Sequence, residues 1–304
     1  MRRHPDIPER PLKHAFAVLL LVLLLSGCNQ PHEAEIDLLF RDFTGDRPGA
    51  SVMVVRDGRP VFVKSYGLAV LEGHVPATPE TNYRLASVTK QFTAMSVMML
   101  AERGLLSLDA TLTDIFPRFP AYGSGVTVRH LLTHTSGLVA YEDLMDPSDT
   151  LQVHDREVLA MMASVDSTYF RPGSAYRYSN SGYAVLAMIV EKVSGRTFPD
   201  FLEENVFRPA GMKKSVAFVK GVNEVKNRAF GYAPEGNGFV FSDQSTTSAV
   251  LGDGGIYTSV VDMFRWDQAL YTEKLVSAEM LMRAYTSAVL TGGERTGYGF
   301  GWSI

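Results

Sequence analysis

Hydrophobic and polar positions alternate most clearly between residues 49 and 66. Two alternating runs, Ser51–Val55 and Val61–Tyr66, lie on either side of an Asp57-Gly58 pair. Successive side chains of a strand point to opposite faces, and Asp-Gly suits a two-residue turn with positive φ angles. The pattern therefore predicts a β-hairpin, and the polar stretch at residues 67–82 that follows it predicts a loop.

Apolar runs with helical spacing dominate the rest of the chain. The run from Thr93 to Glu102 predicts a buried helix, because its apolar positions recur on every side of a helical turn. A short amphipathic helix is expected before the hairpin, with Ile36, Leu38, Leu39 and Phe40 as its apolar side. Further helices are predicted at Thr127–Leu132, Val158–Val165, Tyr183–Val193, Phe198–Phe207, Val261–Tyr271 and Ser277–Ala288.

Two segments near the end of the chain carry turn and strand signals. A glycine-rich turn at residues 252–255 precedes a helix that Thr258 or Ser259 is suited to cap. The closing residues Tyr298–Ile304 have the pattern of a beginning strand. These patterns alone predict one hairpin of sheet and many helices.

Composition and charge place the chain among globular proteins. The sequence has 304 residues, of which 46% are hydrophobic and 20% are charged, and its formal net charge is −4. An acidic balance of this kind argues against nucleic acid as a partner.

The first 27 residues predict an export signal. A basic start is followed by the apolar run Ala15–Leu25, which is too short to span a bilayer comfortably. Leu25-Ser26-Gly27-Cys28 resembles the lipobox of bacterial lipoproteins, which implies a lipid anchor on Cys28, the only cysteine of the chain. The alternative is a chance cysteine after an ordinary signal peptide. In the lipoprotein prediction, a linker at residues 28–34 leads from Cys28 to the globular part. Asn29, directly after Cys28, resembles the pattern that favours the outer membrane. The protein would then face the periplasm of the cell envelope.

Ser87 and Lys90 are the first candidate catalytic pair. They lie three positions apart at the start of the predicted Thr93 helix, so their side chains would stack one turn apart. A lysine nitrogen within reach of a serine hydroxyl can take its proton and make the oxygen nucleophilic. On spacing alone, a helix cap with a surface lysine is the alternative.

Tyr178 and Asn180 are the second candidate pair, on a short polar stretch directly before a predicted helix. A buried phenol beside a lysine ammonium can accept and pass on a proton. The Asn180 side chain offers both a donor and an acceptor for orienting a lysine and a substrate amide. A tyrosine that packs on the start of a helix is the alternative.

Six motifs together resemble a known family over residues 35–304. In residues, order and spacing the chain is similar to the serine β-lactamase-related hydrolases, in the branch of class C β-lactamases, D-aminopeptidases and esterase-like enzymes related to penicillin-binding proteins. The matching motifs are Ser87 to Phe92, Leu131 to Leu138, Pro172-Gly173 with Tyr178-Ser179-Asn180, Pro209 to Met212, Gly254 to Tyr257, and Tyr298 to Trp302.

The resemblance implies a fold and a role for each candidate. The fold would be α+β, with a helical domain inserted into an antiparallel sheet domain. Ser87 would be the nucleophile and one oxyanion donor through its amide, and Lys90 would assist its deprotonation. Tyr178 would relay a proton, and Asn180 would hold Lys90 and the substrate amide. The substrate would be a β-lactam, a D-amino-acid peptide or a small ester, and no metal or organic cofactor is implied.

The chain departs from the family pattern at one motif. The family carries Lys-x-Gly or His-x-Gly on a later strand, and neither occurs in this sequence. Arg295-Thr296-Gly297 imitates the motif but precedes the Tyr298 segment, whereas the family element follows it; the alternative is that Arg295 serves here as a fixed cation that recognises a carboxylate. We expect that the sequence stops before the missing strands; the alternative is a non-catalytic envelope binding protein. A hydrolase that uses Ser136 with His134 is a further alternative, although in the family this segment is a structural helix end.

Overall fold

The computed structural model describes residues 33–304, and the predicted hairpin is confirmed in it. Strand β1 (Ala50–Arg56) pairs antiparallel with β2 (Arg59–Tyr66), with a register irregularity between Val54 and Val55. Asp57 and Gly58 adopt φ angles of 51° and 69° at the turn. Such a turn matches the right-handed twist of the two strands, which is why Asp-Gly predicted it.

The prediction of a loop at residues 67–82 is wrong in part. Strand β3 (Leu68–Val70) pairs with β4 (Val75–Pro76), and the Gly49 N–H donates to the Leu68 carbonyl at 2.8 Å. Strands of two or three residues are too short to show alternation, so they cannot be recognised from the hydrophobic pattern.

A three-stranded antiparallel sheet supports the candidate nucleophile. Its order is β5 (Tyr83–Arg84), β9 (Ile256–Thr258) and β6 (Val216–Ala217), and all three residues of β9 are buried. The Leu85 N–H continues the ladder to the Ile256 carbonyl at 2.8 Å, two residues before Ser87. A further hairpin joins β7 (Tyr232–Glu235) to β8 (Gly238–Phe241). The expectation of a single hairpin is therefore corrected, while the α+β class is confirmed.

The predicted helices are present, with ends shifted by a few residues. Ser259 caps its helix by accepting from the Asp262 N–H at 3.2 Å, and Gly195 ends another helix with φ 68°. The α-helices are α1 (Glu33–Leu39), α2 (Lys90–Glu102), α3 (Leu112–Ile115), α4 (Val128–Leu132), α5 (Asp155–Ser164), α6 (Asn180–Ser194), α7 (Phe198–Leu202), α8 (Arg208–Ala210), α9 (Leu251–Gly254), α10 (Val260–Ala269) and α11 (Ala278–Ala284). Short 3₁₀ turns occur at Arg41–Phe43, Ala86–Thr89, Ala121–Gly125 and Tyr141–Leu144, and a π turn at Glu203–Phe207.

Helix α1 buries only part of the apolar side predicted for it. Leu38 and Leu39 are 61% and 77% exposed, whereas Phe40, directly after the helix, stacks on the Tyr66 ring with 5.1 Å between the ring centres. The helix is also attached through Asp37, whose carboxylate accepts from Lys64 Nζ at 2.9 Å and from the Tyr66 hydroxyl at 2.7 Å. Polar contacts of this kind leave no trace in a hydrophobic pattern.

Helices α2 and α6 form the centre of the core and carry the candidate residues at their first turns. The side chains of Phe92 to Leu100 in α2 are buried, as are those of Ser181 to Ala187 in α6. Because both helices are apolar on every side, they pack against each other in the interior. Lys90 and Asn180 are their first residues, so this packing brings the two candidates together.

The closing segment folds back on itself, which corrects the prediction of a beginning strand. Tyr298 forms an isolated bridge with Ser303, and the Ile304 N–H donates to the Gly297 carbonyl at 2.8 Å. Gly301, at φ 83°, lies against the start of α2, where an added Cβ would sit 2.9 Å from the Lys90 carbonyl oxygen.

In residues 33–304 the helices are all too short or too polar to cross a bilayer.

Candidate active site

Ser87 is exposed on the 3₁₀ turn between β5 and α2. The preceding residue, Ala86, has a φ of 47°, a conformation that costs energy for a residue with a side chain. The backbone of Gly254 lies close by, and an added Cβ there would be 3.6 Å from the Ala86 backbone. The β5 ladder and the Gly254 contact therefore hold the serine in a defined position.

Lys90 is buried, with 1% of its surface exposed, and its ammonium group meets three oxygen atoms. Nζ lies 3.2 Å from Ser87 Oγ, 2.9 Å from Asn180 Oδ1 and 3.0 Å from the Asp253 carbonyl oxygen. The surface-lysine alternative is therefore wrong. The structure brings Ser87, Lys90 and Asn180 together, as the sequence predicted, and adds the Asp253 carbonyl.

This arrangement can move a proton between Ser87 and Lys90. A neutral lysine amine has two N–H bonds and one lone pair. The oxygens of Asn180 and Asp253 can only accept, so they take the two N–H bonds and leave the lone pair facing the Ser87 hydroxyl. When the amine takes that proton, the new N–H points back to the serine oxygen. The same three contacts thus fit the site before and after the transfer.

Tyr178 contacts the lysine through its ring. Lys90 Nζ lies 4.9 Å from the centre of the Tyr178 ring, a cation–π distance, and the tyrosine is 44% exposed. Within residues 33–304 no hydrogen bond joins the Tyr178 hydroxyl to another residue. The ring therefore covers the ammonium, and the proton relay through the hydroxyl stays a prediction.

His134 is buried behind Tyr178 and does not face Ser87. Its Nδ1 accepts the Ser179 N–H at 3.1 Å, which places its proton on Nε2, and the ring lies 4.3 Å from that of Tyr178. Burial, reinforced by the charge of Lys90, lowers the pKa of His134 to about 3. Ser136 is only 1% exposed, and its hydroxyl accepts the Leu138 N–H at 3.3 Å. Neither group of the Ser136–His134 alternative is open to a substrate.

Two buried carboxyl groups that the sequence analysis missed lie under the site. Asp155 accepts the N–H groups of Leu251 and Gly252, both at 2.8 Å, and so fixes the turn that presents the Asp253 carbonyl to Lys90. Burial raises the pKa of Asp155 to about 7 despite these bonds. Burial also raises the pKa of Asp253 to about 6, against the charges of Lys90 and Arg84. The glycine-rich run was the only sequence signal for this turn.

Replacing His134 by asparagine is expected to reduce the pH dependence of stability. The folded pKa of about 3 is below that of an unfolded histidine, so His134 contributes stability that is full above about pH 6.5 and is lost as the pH falls toward 3. Asparagine tolerates the φ of 57° and offers an acceptor to Ser179. The difference in unfolding free energy between the two proteins should grow by about 3 kcal/mol from pH 4 to 7, measured by urea titration.

Asp155 and Asp253 titrate over an overlapping range, and their raised pKa values favour the fold at acidic pH. Both carboxyl groups are present in the wild type and in H134N, so their contribution cancels in the comparison. A difference that stays constant from pH 4 to 7 would mean that His134 is not held neutral in the fold.

Asn180 has a further partner that the sequence did not indicate. Its Nδ2 donates to Glu142 Oε1 at 2.8 Å, and Glu142 lies on the Tyr141–Leu144 turn. A cavity of about 240 Å³ adjoins this pair, and its walls include Glu142, Tyr178 and Asn180.

Arg295 is exposed and pairs only with Val289 through an isolated bridge, and among the described residues no hydrogen bond or ion pair links it to the site.

Comparison with known proteins identifies the fold around this site. The sequence model of the beta-lactamase family matches residues 36–304. The chain belongs to the beta-lactamase family. Its β-lactamase/transpeptidase-like fold, predicted from the six motifs, is thereby confirmed.

Several beta-lactamase-family relatives resemble this chain over most of its length. It is 32% identical over 268 residues to penicillin-binding protein 4* of Bacillus subtilis (strain 168), covering 84% of this chain and 59% of that protein. It is 30% identical over 271 residues to a D-aminopeptidase of Brucella anthropi, covering 84% of this chain and 49% of the other. The chain thus spans about half to three fifths of the length of the curated relatives it matches.

A solved structure gives the same result. The octameric penicillin-binding protein homologue from Pyrococcus abyssi superposes with a TM-score of 0.73 at 31% identity, covering 88% of this chain and 63% of that one. The family fold explains why Ser87, Lys90, Tyr178 and Asn180 meet although they come from separate motifs. Cys28 and the predicted linker as far as residue 32 lie outside the described residues, whereas residues 33 and 34 of that linker begin helix α1.

Proposed function

We propose that the protein is a serine hydrolase that cleaves an amide or an ester through an acyl-enzyme on Ser87. One observation carries the proposal: Lys90 Nζ lies 3.2 Å from Ser87 Oγ while the Asn180 and Asp253 oxygens occupy its other bonds. A buried amine held in this way can accept a proton only from the serine.

The reaction would proceed in two halves. Ser87 Oγ attacks the substrate carbonyl carbon as its proton passes to Lys90 Nζ, and a tetrahedral oxyanion forms. Collapse breaks the bond to the leaving group, which takes a proton relayed through Tyr178, and leaves an ester on Ser87. Water then attacks that ester, gives up a proton along the same route, and releases the acid and the free serine.

The substrate class is part of the proposal. Relatives bear the names penicillin-binding protein and D-aminopeptidase. These names support a β-lactam or a D-amino-acid peptide as the substrate, and a small ester is included because the same acyl-enzyme chemistry would cleave it. All three substrates have a carbonyl carbon that a serine hydroxyl can attack to form an ester, and this is the reaction that the site is suited to perform.

Covalent labelling tests the proposal directly. The protein is incubated with a fluorescent alkyl phosphonate or with a fluorescent penicillin, and the modified peptide is sequenced by mass spectrometry. We expect one label per chain, on Ser87. No label with either probe would instead favour a non-catalytic binding protein. Initial rates on a panel of lactams, D-amino-acid amides and small esters would then rank the substrate classes.

We further propose that the protein is exported and anchored by lipid at Cys28, facing the periplasm from the outer membrane. The apolar run Ala15–Leu25 and the lipobox-like Leu25-Ser26-Gly27-Cys28 support this location. In bacteria fed an alkyne fatty acid, the wild type should carry the label and sediment with membranes. Cys28→Ser should lose the label and leave the membrane fraction, and a labelled C28S protein would contradict the anchor.

A further inference from the structure

A chain of hydrogen bonds leads from the protein surface to the lysine. Glu142 Oε1 accepts from Asn180 Nδ2 at 2.8 Å, and Asn180 Oδ1 accepts from Lys90 Nζ at 2.9 Å. Lysine offers only donors when charged, and a carboxylate only acceptors, so this pair fixes the amide in one orientation. We propose that Glu142 is a positioning residue that keeps the oxygen of Asn180 turned toward Lys90, an inference that rests on the proposed function.

The backbone around Glu142 is held against the start of α6, which carries Asn180. Ser181 Oγ accepts the Tyr141 N–H at 2.9 Å and donates to the Val139 carbonyl at 2.7 Å. The Tyr141 side chain is itself buried. Glu142 is therefore placed beside Asn180 by its neighbours and not by its own exposed side chain, as a preorganised contact requires.

The orientation of Asn180 decides what the lysine lone pair faces. With its oxygen toward Nζ, Asn180 takes one N–H of the neutral amine, and the lone pair is left for Ser87. A flipped amide would present its own N–H₂ to Nζ, and the lone pair would accept from Asn180 in competition with Ser87. Glu142 prevents this flip because a flipped amide would turn its oxygen toward the carboxylate.

Glu142 also leaves Asn180 able to meet a substrate. The amide nitrogen has two N–H bonds, and Glu142 takes one of them. The other has no partner among the described residues and can donate to a substrate carbonyl in the adjoining cavity of about 240 Å³. The Glu142 carboxylate thus keeps the Asn180 oxygen directed toward Lys90 and leaves the second N–H of Asn180 for the substrate.

The experiment compares Glu142→Ala with Glu142→Gln. The measured quantities are the second-order rate constant for labelling of Ser87 by the phosphonate and the melting temperature. We expect E142A to label about tenfold more slowly, the effect of one lost hydrogen bond on the transition state. E142Q should stay within about twofold of the wild type because its amide oxygen accepts the same bond. Both melting temperatures should be unchanged, since the side chain is exposed.

Asp143→Ala is the matched control for charge. Asp143 is the next residue on the same turn, is also exposed, and bonds the Tyr169 hydroxyl instead of Asn180. We expect D143A to label at the wild-type rate. In an Asn180→Ala background, adding E142A should cause no further loss, because the residue through which it acts is gone.

Two results would overturn the inference alone. One is an E142A rate equal to that of a labelled wild type. The other is an E142Q or D143A rate as low as that of E142A, which would assign the effect to negative charge and not to orientation. Absence of any label on wild-type Ser87 would instead overturn the proposed function, and the inference with it.

Discussion

Replacement of Ser87 by alanine is expected to abolish covalent labelling and to lower hydrolysis to the background rate, a loss of at least about a thousandfold. Ser87 Oγ is the only hydroxyl that faces Lys90 Nζ, at 3.2 Å, among the described residues. Without it no ester can form on the protein. Because Ser87 is exposed, its loss should leave the melting temperature within a few degrees of the wild type.

Ser136→Ala is the control for this experiment, since Ser136 is the alternative nucleophile that the sequence offered. Its hydroxyl is buried and accepts a backbone N–H from Leu138. S136A should label at the wild-type rate and lose about 1 kcal/mol of stability with that bond. A label that persists in S87A and disappears in S136A would refute the assignment of the nucleophile.

The sequence was sufficient to predict that Ser87, Lys90 and Asn180 lie together, while their catalytic roles stay a prediction. Ser87 and Lys90 share one local segment, and Asn180 begins a helix whose apolar run is unambiguous. The family motifs then joined two segments that lie 90 positions apart. The local pattern alone could not have identified the site, because a helix cap followed by a surface lysine has the same spacing as Ser87 and Lys90.

The residues that support the reaction could not be predicted, because their contacts are tertiary. Asp155 holds the Leu251–Gly252 turn from 96 positions away, and nothing in its helical context distinguishes it from an exposed acid. The same holds for Glu142, which stands in a polar segment typical of a solvated loop. Strands β6 and β9 were missed for a related reason, since two or three residues form no detectable alternation.

The burial of Lys90 carries a stability cost alongside the role proposed for it. Within residues 33–304 no carboxylate oxygen is hydrogen-bonded to its buried ammonium, whose partners are three neutral oxygens and the face of the Tyr178 ring. Taking an ammonium out of water costs several kcal/mol, which neutral acceptors offset only in part. We infer that the site is arranged for proton transfer at the expense of the stability of the fold.

Lys90→Met should therefore separate activity from stability. Methionine fills a similar volume but has no base, so the labelling rate of Ser87 should fall by about a thousandfold, within the range for loss of a general base. The variant removes the lysine donor from the Asp253 carbonyl and from Asn180 Oδ1, at a cost of about 1 to 3 kcal/mol, while it removes a buried charge that costs at least as much. The free energy of unfolding in urea should stay within about 1 kcal/mol of the wild type or rise.

Lys192→Met is the matched control, because Lys192 lies exposed in the last turn of α6, away from the site. K192M should label at the wild-type rate. A K90M labelling rate within about tenfold of the wild-type rate would contradict the role of Lys90 as the base. The proton of Ser87 would then have to go to another base. His134 is not in place for that, because it lies behind Tyr178 without contact to the serine. If K90M instead unfolded several kcal/mol more easily, the three neutral oxygens would be stabilising the ammonium far better than burial of a charge allows.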